Sequence, residues 1–328
     1  MIPSSADWPS VIVFGECLVD RFIDATRTPD KGFPQELAIP GGAPFNVARH
    51  LAGLDFDPLF ITRLGADAAG AQLQRELQRC GVRPDGIQWD ARNPTGEVRV
   101  RLAAGSHAFE ILDDQAYDHI DAAALPRLAA TPAVRWLYFG TLIQRAQRSR
   151  AALAALRERV AHRAFVDLNW RAGQVPPAVA LDALDHADCL KLSAEELALL
   201  LSWSGLHSDH AALPPPRGTV CTGIGALLAG RRTAQLIVTC GAHGYALWNA
   251  AGTCMARGDG LPMEALVDTV GAGDAFSSIV LAGLLRNWPM ALTLERANAF
   301  AAAICGVRGA VPPEPDFYQT WKNQWQSA

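Results

Sequence analysis

Short apolar runs alternate with helical patterns along the chain, and this alternation restricts the fold more than any other feature of the sequence. The runs are "VIVFG" at 11, "LFITRLG" at 59, "VRWLYFG" at 134, "AFVDLN" at 164, "CLKLS" at 189 and "LIVTCG" at 236. Unbroken apolar strands that alternate with helices are typical of a parallel sheet covered on both faces. We therefore predict an α/β fold, with a mainly parallel sheet sandwiched by helices.

Helical patterns fill most of the spaces between these strands. They cover Pro44 to Leu54, Ala69 to Cys80, Ser149 to Ala161, Ala194 to Ser202, Asp274 to Arg286 and Thr293 to Val307. Most of them follow a strand directly, as in βαβ units. Ligands of such sheets bind at the carboxyl ends of the strands, so the polar residues found there are candidate site residues.

Two segments depart from the alternation. In "TGEVRVRLAAGSHAFEIL", apolar and basic residues alternate before the turn-like "AAGS", which predicts an antiparallel hairpin with one wet face. The segment from 21 to 40 is too long for a tight connection. We predict that segments of about 21–40 and 95–114 form a small β-sheet lid inserted in one domain that spans 1–328. Two unrelated surface insertions are the alternative.

Composition and charge exclude several classes of protein. Half of the 328 residues are apolar, which is enough for a large core, and 29 basic residues are scattered among 33 acids. Nothing in this distribution indicates nucleic acid or an anionic membrane as a partner. The seven cysteines form no C-x-x-C pair, and no apolar stretch approaches the length of a membrane span or a signal peptide. We expect a cytoplasmic protein with reduced thiols.

The stretch "DTVGAGDAFSS", residues 268–278, combines two acids with three very small residues. Gly271, Ala272 and Gly273 leave backbone N–H groups uncovered at a predicted helix N-terminus, where the helix dipole favours an anion such as a phosphoryl group. The same dipole should keep Asp274 ionised, so that it can accept a proton. These features suit phosphoryl transfer to a hydroxyl. A plain turn with Asp274 as N-cap is the alternative.

A second glycine-rich stretch, "PGGAPFNVARHLAGL", lies about 230 residues upstream. Gly41 and Gly42 permit close approach of the backbone, and Pro44 suits the first turn of a helix. Asn46 offers both a hydrogen-bond donor and an acceptor, which suits a ligand rich in hydroxyl groups. Alone, this stretch is also compatible with an ordinary loop.

Together, "GGAPFNVARHLAGL" and "DTVGAGDAFSSIVLAGLL" resemble the two signature stretches of the ribokinase-like (PfkB) carbohydrate kinases, and the first resembles the fructokinase branch most. The resemblance extends from "GECLVD" to "ANAFAAAICGVRGA". It implies a Rossmann-like domain with a β-sheet lid and an ATP-dependent sugar kinase, with fructose as the acceptor. By this resemblance Asp274 would be the general base, and the backbone of Gly271, Ala272 and Gly273 would be the anion hole.

The resemblance also implies the remaining site residues. The sugar would be held by Asp20, Gly41, Gly42, Asn46 and Arg171. The nucleotide would be bound by Ser193, Thr239, Gly241, Gly244 and Asn298, with Arg308 to Ala310 near the adenine. Glu196 would help order Mg²⁺ and ATP through water, and Asp268 with the carbonyl of Val270 would bind a monovalent cation, normally K⁺. The family's N-x-x-E reads here as "SAEE" at 193–196.

Several alternatives remain open at this stage. The hairpin "SHAFEILDDQAYDHI" is not the lid sequence of a standard fructokinase, so 2-keto-3-deoxygluconate, ribose or a nucleoside are alternative acceptors. A sensor that binds nucleotide or sugar without turnover is an alternative from another class. A dinucleotide oxidoreductase requires G-x-G-x-x-G after the first strand, where this chain has "GECLVD". The exposed edges of the hairpin favour pairing between subunits, so we expect a homodimer through the lid.

Overall fold

The computed structural model describes residues 10–24, 36–103, 106–126, 134–160, 163–207, 214–262, 266–312 and 314–326. The strands are β1 (Val11–Phe14), β2 (Leu18–Asp24), β3 (Glu36–Gly41), β4 (Pro58–Gly65), β5 (Ile87–Asp90), β6 (Gly96–Ala103), β7 (Ser106–Ile111), β8 (Trp136–Gly140), β9 (Arg163–Asp167), β10 (Cys189–Ser193), β11 (Gln235–Thr239), β12 (Tyr245–Asn249) and β13 (Cys254–Gly258). The α-helices are α1 (Ala43–Gly53), α2 (Ala68–Arg79), α3 (Gln147–Arg159), α4 (Pro177–His186), α5 (Ala194–Trp203), α6 (Thr222–Leu228), α7 (Ala272–Arg286), α8 (Met290–Ile304) and α9 (Pro315–Gln326).

The large sheet has the order β13-β12-β11-β10-β9-β8-β1-β4-β5. Its strands from β11 to β5 pair in parallel, which confirms the predicted α/β fold. β12 pairs antiparallel with β11, and the edge strand β13 pairs antiparallel with β12. These two strands were not predicted, because a tight turn and not a helix follows β11, so the alternation that identified other strands is missing there. The parallel edge strand β5 was not predicted either.

Both faces of the large sheet are buried. Successive side chains of a strand point to opposite faces, so each strand contributes to two core clusters. In β1, Ile12 and Phe14 belong to one core cluster, while Val11 and Val13 belong to the other. Apolar residues of α3 to α6 complete the first cluster, and those of α1, α2, α7, α8 and α9 complete the second. This two-sided burial explains why the strands read as unbroken apolar runs in the sequence.

The small sheet has the order β3-β2-β6-β7 and includes the predicted hairpin. β2 pairs with β3 antiparallel and with β6 in parallel, so the two departing segments form one sheet and are not unrelated insertions. Residues 25–35, 104 and 105 of the predicted lid segments lie outside the described residues. That this sheet is a lid inserted in a single domain of 1–328 stays a prediction.

The predicted helices correspond to α1, α2, α3, α5, α7 and α8, with ends displaced by three residues at most. Three further helices, α4, α6 and α9, were not predicted. α9 is held by packing that its own sequence does not reveal, because its Phe317, Trp321 and Trp325 contact Phe300 of α8. In the part of the chain that the structure describes, every helix is too short or too polar to cross a membrane.

Candidate active site

A cavity of about 530 Å³ lies between the carboxyl end of the large sheet and the small sheet. It brings together predicted site residues from both ends of the chain. Those that line it are Asp20, Gly42, Asn46, Arg171, Val270, Gly271, Gly273 and Asp274. Leu18, Phe22, Val98, Val100 and Ile111 of the small sheet supply apolar lining. The cavity therefore combines apolar walls with convergent polar groups, which is typical of a small-molecule site.

Helix α7 starts at this cavity without a side-chain cap, because its N-cap residue is Gly271. Gly271 has a φ of 79°, and a Cβ atom there would lie 2.3 Å from the Cβ of Ala310. Only glycine fits this position without displacement of its neighbours. The first N–H groups of a helix have no carbonyl one turn earlier to accept from them, so the start of α7 can bind an anion.

Asp274 lies in the first turn of α7 and does not cap it, which excludes the plain N-cap alternative. The predicted start of this helix at Asp274 was wrong by two residues, since α7 begins at Ala272. The side-chain amide of Asn46 donates a hydrogen bond of 2.7 Å to Oδ2 of Asp274. The carboxylate that faces the cavity is therefore held from behind by α1.

Burial raises the pKa of Asp274 above the ordinary value of an aspartate, and the hydrogen bond from Asn46 opposes this shift. The dipole at the start of α7 favours the charged form of Asp274, so its ionisation at neutral pH stays a prediction. Partial burial of Asp274 in the cavity wall disfavours the charged carboxylate and so acts against this dipole.

Two further acids line the cavity. Burial raises the pKa of Asp20 to about 6; Arg171 lowers that pKa and Asp274 raises it. Glu16, which sequence reasoning missed, is 3% exposed, and burial raises its pKa to about 7. Its position in "GECLVD", directly after an apolar strand, was the available signal. Both acids can therefore carry a proton near neutral pH.

The two glycines of the upstream stretch bring backbone close to these acids. A Cβ atom on Gly41 would lie 2.3 Å from Oδ2 of Asp20, and one on Gly42 would lie 2.7 Å from the carbonyl oxygen of Glu16. Gly42 is also the N-cap of α1, the helix that carries Asn46. The glycine pair thus lets α1 begin against the loop after β1, which places Asn46 in the cavity.

Behind the start of α7 lies a buried ion pair that sequence reasoning also missed. Nζ of Lys191 donates to Oδ2 of Asp167 at 2.8 Å, and the Ser277 hydroxyl oxygen lies 2.7 Å from the same carboxylate oxygen. Lys191 Nζ would be 3.4 Å from a Cβ atom on Gly273. β9, β10 and α7 are therefore tied together directly behind the predicted anion hole. The available signal was an acid at the end of one apolar strand, Asp167 of β9, and a lysine inside the next, Lys191 of β10.

The predicted nucleotide residues do not appear among the described residues that line this cavity. Ser193 and Thr239 are register partners at the ends of β10 and β11. Gly241 and Gly244 flank the turn into β12, and the side-chain amide of Asn298 donates to the carbonyl of Asp259 at 3.0 Å. These residues form a second group, which lies near the carboxyl ends of the strands of the large sheet, as the cavity does.

Glu196 forms a capping box with Ser193 at the start of α5. Its two carboxylate oxygens accept backbone hydrogen bonds from Trp170 at 2.6 Å and from Ser193 at 2.7 Å. A carboxylate oxygen has more than one lone pair, so water can still bind to it.

Asp268 accepts backbone hydrogen bonds from Val270 at 3.0 Å and from Gly309 at 3.2 Å. It therefore connects the loop before α7 to "RGA" at 308–310. The carboxylate of Asp268 and the carbonyl of Val270 belong to this same loop, and their role as cation ligands stays a prediction.

Known proteins resemble this chain over most of its length. The model of the "pfkB family carbohydrate kinase" matches residues 9–316 of this chain. A fructokinase of Klebsiella pneumoniae is 32% identical over 330 residues, which cover 94% of this chain and 98% of the relative.

Two solved structures extend this comparison. An engineered double mutant of fructokinase from Vibrio cholerae O395, in a form with bound fructose, ADP and potassium ion, has a TM-score of 0.73 and 25% identity, and the match covers 92% of this chain and 94% of that one. Aminoimidazole riboside kinase from Salmonella enterica, complexed with aminoimidazole riboside and an ATP analogue, has a TM-score of 0.72 and 25% identity, and the match covers 95% and 99%.

Proposed function

Because the chain belongs to the pfkB family of carbohydrate kinases, we propose that it is a fructokinase, which transfers the γ-phosphoryl group of ATP to fructose and forms fructose 6-phosphate. The observation that carries this proposal is the placement of Asp274 in the cavity beside the uncapped start of α7. The 32% identity to the Klebsiella pneumoniae fructokinase supports fructose as the acceptor.

Asp274 acts as the general base in this proposal. Its carboxylate takes the proton from the sugar hydroxyl as that oxygen attacks the γ-phosphorus, and the bond between this phosphorus and the β–γ bridging oxygen breaks. ADP leaves with the electron pair of that bond. The N–H groups at Gly271, Ala272 and Gly273 stabilise the charge on the transferring phosphoryl group.

The sugar is held by Asp20, Gly42 and Asn46, with Gly41 and Arg171 beside them. Among the described residues that line the cavity, Glu16, Asp20 and Asp274 are acidic and Arg171 is basic. Arg171 is balanced by at least one of these acids, so the cavity has no net positive charge to attract a sugar acid such as 2-keto-3-deoxygluconate, which favours a neutral sugar.

ATP lies across the start of α7 and the group of residues at the ends of β10 and β11. Ser193, Thr239, Gly241, Gly244 and Asn298 bind the nucleotide, with Arg308 to Ala310 near the adenine. Glu196 would help hold Mg²⁺ through water, and Asp268 with the Val270 carbonyl would bind K⁺; both ions would offset the negative charge of the phosphates. The potassium ion in the Vibrio cholerae fructokinase structure supports the latter. Activity in the cytoplasm and a homodimer through the lid stay predictions.

A coupled assay of ADP release tests the proposal over fructose, ribose, 2-keto-3-deoxygluconate and nucleosides, with and without K⁺. We expect the highest kcat/KM with fructose and stimulation by K⁺. The riboside kinase neighbour makes ribose and nucleosides the informative competitors. Preference for one of them would replace fructose as the acceptor, and ATP binding without turnover on any acceptor would indicate a sensor.

Replacement of Asp274 tests the proposed base separately. Asp274→Asn keeps the size of the side chain but removes the proton acceptor, so kcat should fall by about 10²-fold or more while ATP still binds. Asp268→Asn is the matched control at the other acid of the same stretch, where the main effect should be on activation by K⁺. Turnover of Asp274→Asn close to that of the unaltered protein would remove Asp274 as the base.

A further inference from the structure

Arg49 is a buried cation of α1, one turn after Asn46, and only 5% of its surface is exposed. Nη2 of Arg49 donates to Oδ1 of Asn46 at 2.6 Å, and Nη1 of Arg49 donates to Oε1 of Glu76 at 3.0 Å. The guanidinium carbon lies 4.1 Å from the centroid of the Phe45 ring. Three neighbours therefore hold the guanidinium in one place, directly behind the predicted sugar-binding amide.

A guanidinium has five N–H donors and no acceptor. The Asn46 amide can therefore meet Arg49 only with its oxygen, and this fixes which end of the amide faces Asp274. The NH2 end faces Asp274, where Nδ2 donates to Oδ2 at 2.7 Å. The expectation that Asn46 offers the ligand a donor and an acceptor stays a prediction; in this arrangement its oxygen accepts from Arg49 and its NH2 group donates to Asp274.

We propose that Arg49 is a positioning residue that holds the Asn46 amide in the orientation in which only its NH2 group faces the Asp274 carboxylate. This rests on the proposed role of Asp274 as the base. Asp274 then keeps Oδ2 engaged with Asn46 and Oδ1 available to the sugar hydroxyl. Arg49 itself does not touch the substrate.

Glu76 of α2 anchors the arrangement at its far end. Its carboxylate also accepts two hydrogen bonds from Arg79, at 2.8 and 2.9 Å, and these lower the pKa of Glu76 to about 2, with Arg49 contributing. Glu76 is therefore ionised throughout the range in which an enzyme is assayed. Because the charge of Glu76 is constant over this range, the orientation of the Asn46 amide should not change with pH through Glu76.

Loss of the Arg49 donors should change the protonation of Asp274. The amide can then rotate, and an amide oxygen turned toward Asp274 favours the protonated acid, which raises its pKa further. Other groups act on Asp274 from neighbouring elements but are not changed by such a substitution. They are Glu16, Asp20, Tyr138, Asp167, Arg171 and Lys191.

The test is the pH profile of kcat/KM for Arg49→Met, Arg49→Lys and the unaltered protein. Arg49→Met should lose up to about 100-fold in turnover near neutral pH and regain most of it at high pH, because the acid limb moves to higher pH. Arg49→Lys keeps a cationic donor for the Asn46 oxygen, so its profile should return toward that of the unaltered protein. An acid limb of Arg49→Met at the original pH would overturn the proposal.

A matched control is Arg63→Met. Arg63 donates to Asp90 at 2.8 Å, and its side chain is 16% exposed, so this variant also loses a largely buried arginine that pairs with an acid, but away from the cavity. It should lose stability with no movement of the acid limb. A shift equal to that of Arg49→Met would show that the shift reports loss of stability, which also overturns the proposal.

Two further measurements keep the test decisive. If Arg49→Met does not fold, Arg49→Gln replaces it, because a glutamine amide can donate and accept and so no longer fixes the orientation of Asn46. Titration of ¹³C-labelled aspartate carboxyl groups by NMR, with Asp274→Asn for assignment, reads the pKa of Asp274 without turnover. This titration decides the role of Arg49 even if the unaltered protein phosphorylates no sugar, whereas that failure would contradict only the proposed function.

Discussion

Glu16 is an acid of the cavity whose protonation depends on folding. It lies directly after β1 and is 3% exposed, and its Oε2 atom has no hydrogen-bond partner among the described residues. Burial raises its pKa from the ordinary 4.5 to about 7, and the charge of Asp274 adds to this shift while Arg171 opposes it. A proton is therefore bound more tightly in the folded protein than in the unfolded chain.

Between pH 4.5 and 7, the folded state holds a proton on Glu16 that the unfolded state has lost. The free energy of unfolding should then decrease as the pH rises through this window, by roughly 3 kcal/mol from this residue, and should level off above it. Glu16→Gln lacks this proton, so the difference between the two proteins in urea unfolding should show the decrease alone. A difference that is constant between pH 4.5 and 8 would contradict a raised pKa.

At the scale of elements, the geometry of the site depends on where α7 begins. Its first turn meets Ala310 on one side and the Lys191–Asp167 ion pair on the other, and Ser277 of α7 contacts that pair. These contacts with β9, β10 and the loop after α8 fix the start of α7. The ion pair keeps its place because loss of either partner would leave the other charge uncompensated.

Gly271→Ala should displace the start of α7. The added Cβ would lie 2.3 Å from that of Ala310, so the first turn must move, and kcat should fall by about 100-fold. Gly81→Ala is the matched control, because Gly81 has a φ of 78°, close to the 79° of Gly271, but a Cβ there meets nothing within 4 Å. Both variants should lose about 1–2 kcal/mol of stability from backbone strain. Equal turnover in the two would show that contact with Ala310 does not position the site.

For the whole molecule, the cavity depends on contact between two sheets. The small sheet supplies Asp20, Val98 and Val100, while elements around the large sheet supply Asn46 and Asp274. The first core cluster runs continuously from the large sheet into the small one, since Val98 and Val100 belong to it. This shared packing suggests that the two sheets unfold together.

We therefore expect one thermal transition for the chain, with equal calorimetric and van't Hoff enthalpies. Val100→Ala in β6 and Val280→Ala in α7 remove buried methyl groups from the small sheet and from the second core cluster, since these side chains are 1% and 0% exposed. Both should lower the same Tm. Two separate transitions in calorimetry, each lowered by one of the substitutions, would show that the small sheet is an independent domain.

The sequence by itself determined the parallel strands other than β5, most of the helices, the small-sheet hairpin and the two glycine-rich stretches. These are local properties, because hydrophobic periodicity and helix starts depend on residues a few positions apart. Only the tertiary structure decided that β2 pairs with β6, that Asn46 meets Asp274 across 228 positions and that Arg49 holds Asn46 from behind. It also decided the raised pKa of Asp274 and Glu16, because burial adds contributions from side chains that are distant in the chain.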